Sequence, residues 1–212
     1  EIKVWYFMRG LIGKKIGMTR IFNSKSHAVP VTVLEVGPCH VTQLKSIEID
    51  GYDAVQIGFL ELKEKHSSKP LIGHFEKNKV KPARVLAEFQ SVPNFDYKLG
   101  QVFDVGLFTV GDFVNVSAKS KGRGFAGTIK KHSFSTQRKT HGQGDTHRHV
   151  GSIGNASDPS RVFPGKKMPG RYGNKNVSIK DLEVVSVHRD KNQLLVKGSV
   201  PGSINGIVYI TR

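Results

Sequence analysis

The sequence has one cysteine, Cys39, in 212 residues, so no disulfide can form within the chain. That excludes the disulfide-stapled secreted scaffolds and fits a reducing compartment. A lone Cys39 reads as a small buried apolar residue rather than a nucleophile. No apolar run approaches the roughly 20 residues of a membrane-spanning helix, and neither a basic amphipathic helix nor a lipid anchor is visible. Acidic residues are scarce in one place above all. Residues 119–180 hold only Asp145 and Asp158 against fourteen Lys and Arg, a net charge of +12 in a chain of +16. The same 62 residues are poor in apolar side chains, with only 13.

Such a stretch cannot bury enough surface to offset its own ordering entropy. It is predicted to order against a polyanion, and Lys and Arg are the side chains that neutralise phosphates. The polyanion could be nucleic acid, an anionic membrane or an acidic protein. Ten glycines make the stretch a poor helix former, which weakens the membrane reading. The charge shift divides the chain into three. Residues 1–7 are an extension before Met8 without a convincing signal-peptide pattern. Residues 8–118 and 181–212 form a globular domain, and 119–180 a basic arm inserted into it. The roughly 150 residues outside the arm suffice for one core burying about 68–70% of the unfolded surface.

That remainder reads as mainly β. Residues 29–36 (VPVTVLEV) are β-branched and end at Gly37-Pro38. Residues 41–49 alternate, Asp50-Gly51 signals a turn, and 54–60 (AVQIGFL) return, so 41–60 is expected to be a hairpin. A helical turn is expected around 71–77. Further short strands are expected at 84–89, 102–105, 113–116, 182–188, 194–197 and 207–210. Many short strands at close spacing predict a small closed barrel, with a long, basic, irregular arm between its strands.

Within the arm, Gly122-Arg123-Gly124-Phe125-Ala126-Gly127 matches the dinucleotide fingerprint G-x-G-x-x-G. The residues after Gly127 are polar and basic, however, without the apolar helix and acid-tipped strand a nucleotide fold needs. Two readings stay open: glycines that let backbone approach phosphate, or a purely structural turn. His141, His147 and His149 lack the rigid ligand set of a zinc site. They read as RNA-contacting groups or as plain exposed histidines. Gly165-Lys166-Lys167 lacks the upstream glycine of a phosphate-binding loop. Phe125, Phe134 and Phe163 either stack on unpaired bases or fold inward as small core anchors. No catalytic constellation stands out, and nothing calls for a cofactor, a metal or a small-molecule substrate.

Several segments carry a resemblance, in order along the chain: 8–22 (MRGLIGKKIGMTRIF), 32–43 (TVLEVGPCHVTQ), 50–56 (DGYDAVQ), 69–75 (KPLIGHF), 120–128 (SKGRGFAGT), 140–142 (THG), 151–154 (GSIG), 161–170 (RVFPGKKMPG) and 194–202 (LLVKGSVPG). Together they resemble the universal large-subunit ribosomal protein three family, in its bacterial or organellar form. The resemblance implies a barrel similar to the second domain of translation elongation factors. It also implies an arm threading large-subunit rRNA toward the peptidyl transferase centre, binding near the 3′ end of that RNA early in assembly, and neighbouring ribosomal proteins as partners. It places the chain in the large subunit of a bacterial cytoplasmic ribosome, with an organellar ribosome as the alternative.

The expected rRNA contacts are Lys119, Lys121, Arg123, Lys130, Lys131, Arg138, Lys139, Arg148, Arg161, Lys166, Lys167 and Arg171 at phosphates. Gly122, Gly124, Gly151, Gly154 and Gly165 allow close backbone approach, with His141, His147 and His149 alongside. Two positions depart from the family's pattern. A glutamine that follows GSIG in many relatives, and is methylated there, is Asn155 here, which argues against that modification. Where relatives commonly have a lysine after Phe163, this chain has Pro164, which removes a charge and fixes φ.

Overall fold

Alternating burial along the strands is what closes this fold. In the computed structural model, which describes residues 9–23, 25–93 and 95–212, the chain is mainly β. The extension assigned to 1–7 lies outside the described residues. Strands β1 (Gly10–Phe22), β2 (Ala28–Val36), β7 (Phe113–Lys119), β10 (Asn176–His188), β11 (Gln193–Lys197) and β12 (Ile207–Thr211) form a closed barrel in the order β1-β12-β7-β10-β11-β2. Every neighbouring pair in it is antiparallel. On β7, Val114, Val116 and Ala118 are buried while Phe113, Asn115 and Ser117 are more open, the period of two of a half-buried strand.

The two longest strands, β1 and β10, turn the barrel's corners through bulges, which bend a strand and increase its twist. Register shifts between Lys15 and Gly17, and between Ile179 and Leu182. At the second bulge Asp181 takes φ +56, and its N–H donates to Asn115 Oδ1 at 3.0 Å.

Not every strand is a stave of the barrel. Strands β3 (Cys39–Lys45), β4 (Ala54–Glu61), β5 (Ala83–Gln90) and β6 (Val102–Phe103) make a separate sheet in the order β5-β4-β3-β6. It shares one hydrophobic core with the barrel: Val41, Val55, Ile57 and Phe59 cluster with Ile12, Leu34, Val116, Val184, Leu194 and Ile210. Fully burying a side chain of this size is worth about 1.5–3 kcal/mol. Cys39 is in this core as expected; burial pushes its thiol pKa up to about 12, and it donates to the Ile12 carbonyl at 3.4 Å.

The expected hairpin forms as β3 and β4. Its first strand stops at Lys45, however, not at 49. Residues Ile47–Asp50 form a single helical turn, α1. Carboxylates decide this: Asp50 accepts from the Ser46 N–H at 3.4 Å and Asp53 from the Ile47 N–H at 3.1 Å, while Gly51 ends the turn at φ +84. The strand expected at 102–105 is likewise only two residues long. The Asp104 side chain accepts from the Gly106 N–H at 2.8 Å and turns the chain into a short 3-10 segment. The helical turn near 71–77 is α2 (Lys69–Lys77), with Pro70 in its first turn and Phe75 buried.

The chain leaves the barrel after Lys119 and returns at Asn176. It groups into two compact units, one of the described residues up to Ser120 with Asn176–Arg212, the other Lys121–Lys175. Among the described residues no helix is long and apolar enough to cross a membrane.

Candidate nucleic-acid interface

Residues 121–175 are built around a short two-stranded ribbon. Strand β8 (Gly124–Ala126) pairs antiparallel with β9 (Gly170–Tyr172), and the helical turn α3 (Thr128–His132) comes directly after β8. The G-x-G-x-x-G stretch is thus the start of a ribbon and the lead into a turn. Arg123 N–H donates to the Tyr172 carbonyl at 2.9 Å, extending the ladder. Gly173 closes it: with φ +71, a β-carbon there would lie 2.0 Å from the Lys121 carbonyl oxygen. The lead into β9 is held to α3 by Lys131 Nζ, 3.4 Å from the Met168 carbonyl, and by the His132 ring, 3.2 Å from the same oxygen.

The expected phosphate contacts are surface groups almost throughout. Of the twenty RNA-contacting candidates only Lys131 and His147 are half-buried, and the other eighteen are exposed. Among the described residues, none of the twelve cations is paired with a carboxylate. A folded segment with this much uncompensated like charge repels itself until a polyanion supplies counter-charge.

The structure gathers some candidates and leaves others apart. Arg148, His149 and Gly151 line a cleft of about 630 Å³ together with Gln137 and Thr146. Lys130 and Arg148 line a second, of about 250 Å³, whose wall is Phe125. Arg161 lies over the Phe163 ring, 5.5 Å from its centroid. Pro164 and Gly165 form a turn between Phe163 and Lys166; Gly165 has φ +80, and Pro before such a glycine suits a type II turn. Arg138, Lys139, His141, Lys166 and Lys167 lie on exposed loop. Lys119 is on β7, opposite Asn176. Among the described residues no three His, Cys, Asp or Glu come together as a metal site would require.

Two outcomes were not legible in the residue string. Phe125 and Phe163 are not inward anchors: they are 81% and 57% exposed, and only Phe134 is half-buried, beside His132. Gln137 and Thr146, which line the larger cleft, are also bridged by Gln143, whose Nε2 donates to Gln137 Oε1 at 2.7 Å and to Thr146 Oγ1. Nothing in the periodicity of that loop marks these residues.

A sequence model of the family described as ribosomal protein L3 matches residues 94–193. Large ribosomal subunit protein uL3 of Petrotoga mobilis is 49% identical over 203 residues, covering 96% of this chain and 94% of that protein. The chain belongs to the uL3 family. The uL3 of Syntrophomonas wolfei is 48% identical, over 95% of this chain and 94% of its own length. The uL3c of Porphyra purpurea is 44% identical, over 96% and 98%. The stretch matched by the family model contains all of 121–175, so the ribbon and both clefts lie inside what this chain shares with uL3 proteins.

Proposed function

We propose that this chain is a structural constituent of the large ribosomal subunit that binds large-subunit rRNA through residues 119–180. The observation that carries the reading is uL3 membership combined with the run of twelve cations between Lys119 and Arg171, none paired with a carboxylate among the described residues. Nucleic-acid phosphates supply what that segment lacks, and its glycines let backbone approach them. The barrel and its attached sheet, within residues 9–119 and 176–212, dock on the RNA surface and on neighbouring ribosomal proteins. The arm enters the RNA near its 3′ end and toward the peptidyl transferase centre, early in assembly. Its contribution to translation is to position RNA, not to carry out bond chemistry.

The test is co-sedimentation of the chain with the large subunit after a high-salt wash. Retention is expected for an arm threaded through folded RNA. Release of the whole population, leaving an otherwise intact subunit, would contradict the reading. Replacing residues 147–170 by a short linker should leave the barrel folded while impairing subunit assembly or translation. Normal particles with normal peptidyl transfer would contradict it as well.

A further inference from the structure

Successive side chains of a strand point to opposite faces, and residues directly opposite in an antiparallel pair share a face. In the β8–β9 ribbon, Phe125 stands opposite Arg171, while Ala126 stands opposite Gly170. The second face is covered at the Ala126–Gly170 pair. Ala126 is buried, and Lys131 Nζ lies 2.8 Å from where a β-carbon on Gly170 would sit. The other face carries an aromatic ring and a guanidinium, both exposed. Phe125 is more exposed than Phe163 or Tyr172, the arm's other open aromatics.

The ring also has room beside it. The cleft of about 250 Å³ is bounded by Phe125, Gly127, Thr128, Ile129, Lys130 and Arg148. The Phe163 ring already has Arg161 over it, whereas among the described residues no cation lies over Phe125. A flat, neutral π-face flanked by Lys130, Arg148 and Arg171 fits one ligand chemistry: a nucleobase stacked on the ring with its adjoining phosphates on the cations. A base inside a duplex has both faces covered by its own neighbours, so the base must be unpaired. An apolar protein patch is a poorer match, because the ring's surroundings are cationic and glycine-rich.

We propose that Phe125 is the stacking platform for one unpaired nucleotide of the bound RNA, with Lys130, Arg148 and Arg171 holding its flanking phosphates. This rests on the RNA-binding function above and adds to it a named subsite for a single-stranded element.

The experiment compares the full chain with its Phe125→Leu and Phe125→Tyr variants. The probes are a mixed-sequence single-stranded oligoribonucleotide and a duplex of the same composition. Phe125→Leu is expected to weaken single-strand binding by roughly 5- to 150-fold, the range of base–aromatic stacking, and to leave duplex binding unchanged. Phe125→Tyr should retain the affinity. Irradiating an iodouridine-substituted strand should crosslink the peptide that contains Phe125. Equal loss on both probes, no loss on either, or crosslinking only at other peptides overturns the stacking site. If the unsubstituted chain binds neither probe nor large-subunit rRNA, the RNA-binding function itself fails. If it binds and Phe125→Leu is silent, only the subsite fails. Circular dichroism and the thermal midpoint check that the variants fold, as expected for so exposed a side chain.

Discussion

Lys15 Nζ donates a hydrogen bond to the Val200 carbonyl at 2.7 Å, and both residues are buried. The same lysine is held by its backbone: its N–H donates to the Gly206 carbonyl at 2.9 Å, and its carbonyl accepts from the Asn205 N–H at 2.8 Å. It sits beside the β1 bulge, so one residue ties that bend to both stretches of the β11–β12 connection. Hydrogen bonds to charged groups are worth about 1.5–3 kcal/mol, and the lysine stem packs as well. Lys15→Ala is therefore expected to destabilise the barrel by about 2–3 kcal/mol. Lys15→Met should recover part of the loss by restoring the stem. Urea unfolding midpoints of the three proteins check both.

Glu88 joins the strands of the second sheet through its carboxylate. Lys45 Nζ lies 3.0 Å from Oε1, Tyr52 Oη donates to Oε2 at 2.8 Å, and Gln56 Nε2 donates to Oε1 at 3.3 Å. The hydrogen bond from Lys45, then that from Tyr52, holds the carboxyl below its ordinary value of 4.5. A folded pKa below the unfolded one contributes stability above the unfolded value and loses it as pH falls through the folded one. Glu88→Gln should lower stability at neutral pH and flatten its decline below 4.5. Urea midpoints across a pH series show this. Parallel curves would mean that the carboxylate does not couple to folding.

Gly173 has no room for a side chain against the Lys121 carbonyl, and its φ of +71 is one that other residues rarely adopt. Gly173→Ala should open the β8–β9 ribbon. The Arg123 amide, bonded to the Tyr172 carbonyl, should exchange its hydrogen faster, while the barrel strands keep their protection. Weaker RNA binding should accompany the change.

Lys166 and Lys167 come after the Pro164–Gly165 turn on exposed loop. If both meet phosphates, replacing both by Ala should reduce the slope of log affinity against log salt by about 1.4–1.8, from roughly 0.7–0.9 per contact. The measurement is RNA binding over a salt series. An unchanged slope would assign both lysines to solvent.

Much of the strand pattern was legible, because β2, β4 and β12 carry β-branched and aromatic residues, and β5 and β11 short apolar runs, between turn signals. β1 was not. Its sequence, GLIGKKIGMTRIF, mixes glycine and lysine into a strand whose stability comes from β2 and β12 on either side. The start of β10 was hidden likewise, because Asn176, Ser178 and Lys180 read like the polar run before them while pairing with β7. Helical α1 was masked because the capping carboxylates of Asp50 and Asp53 look like ordinary turn residues in a string.

Family, β class and the concentration of charge could be read from the residue string alone. These depend on residue types and their order along the chain, which need no long-range pairing to be read. Which strands close the barrel and which form the second sheet is visible only in the folded arrangement. It alone exposed Phe125 opposite Arg171 and set Lys15 beneath Val200. Those relationships depend on register between distant segments, and a one-residue shift in pairing would turn each side chain to the opposite face.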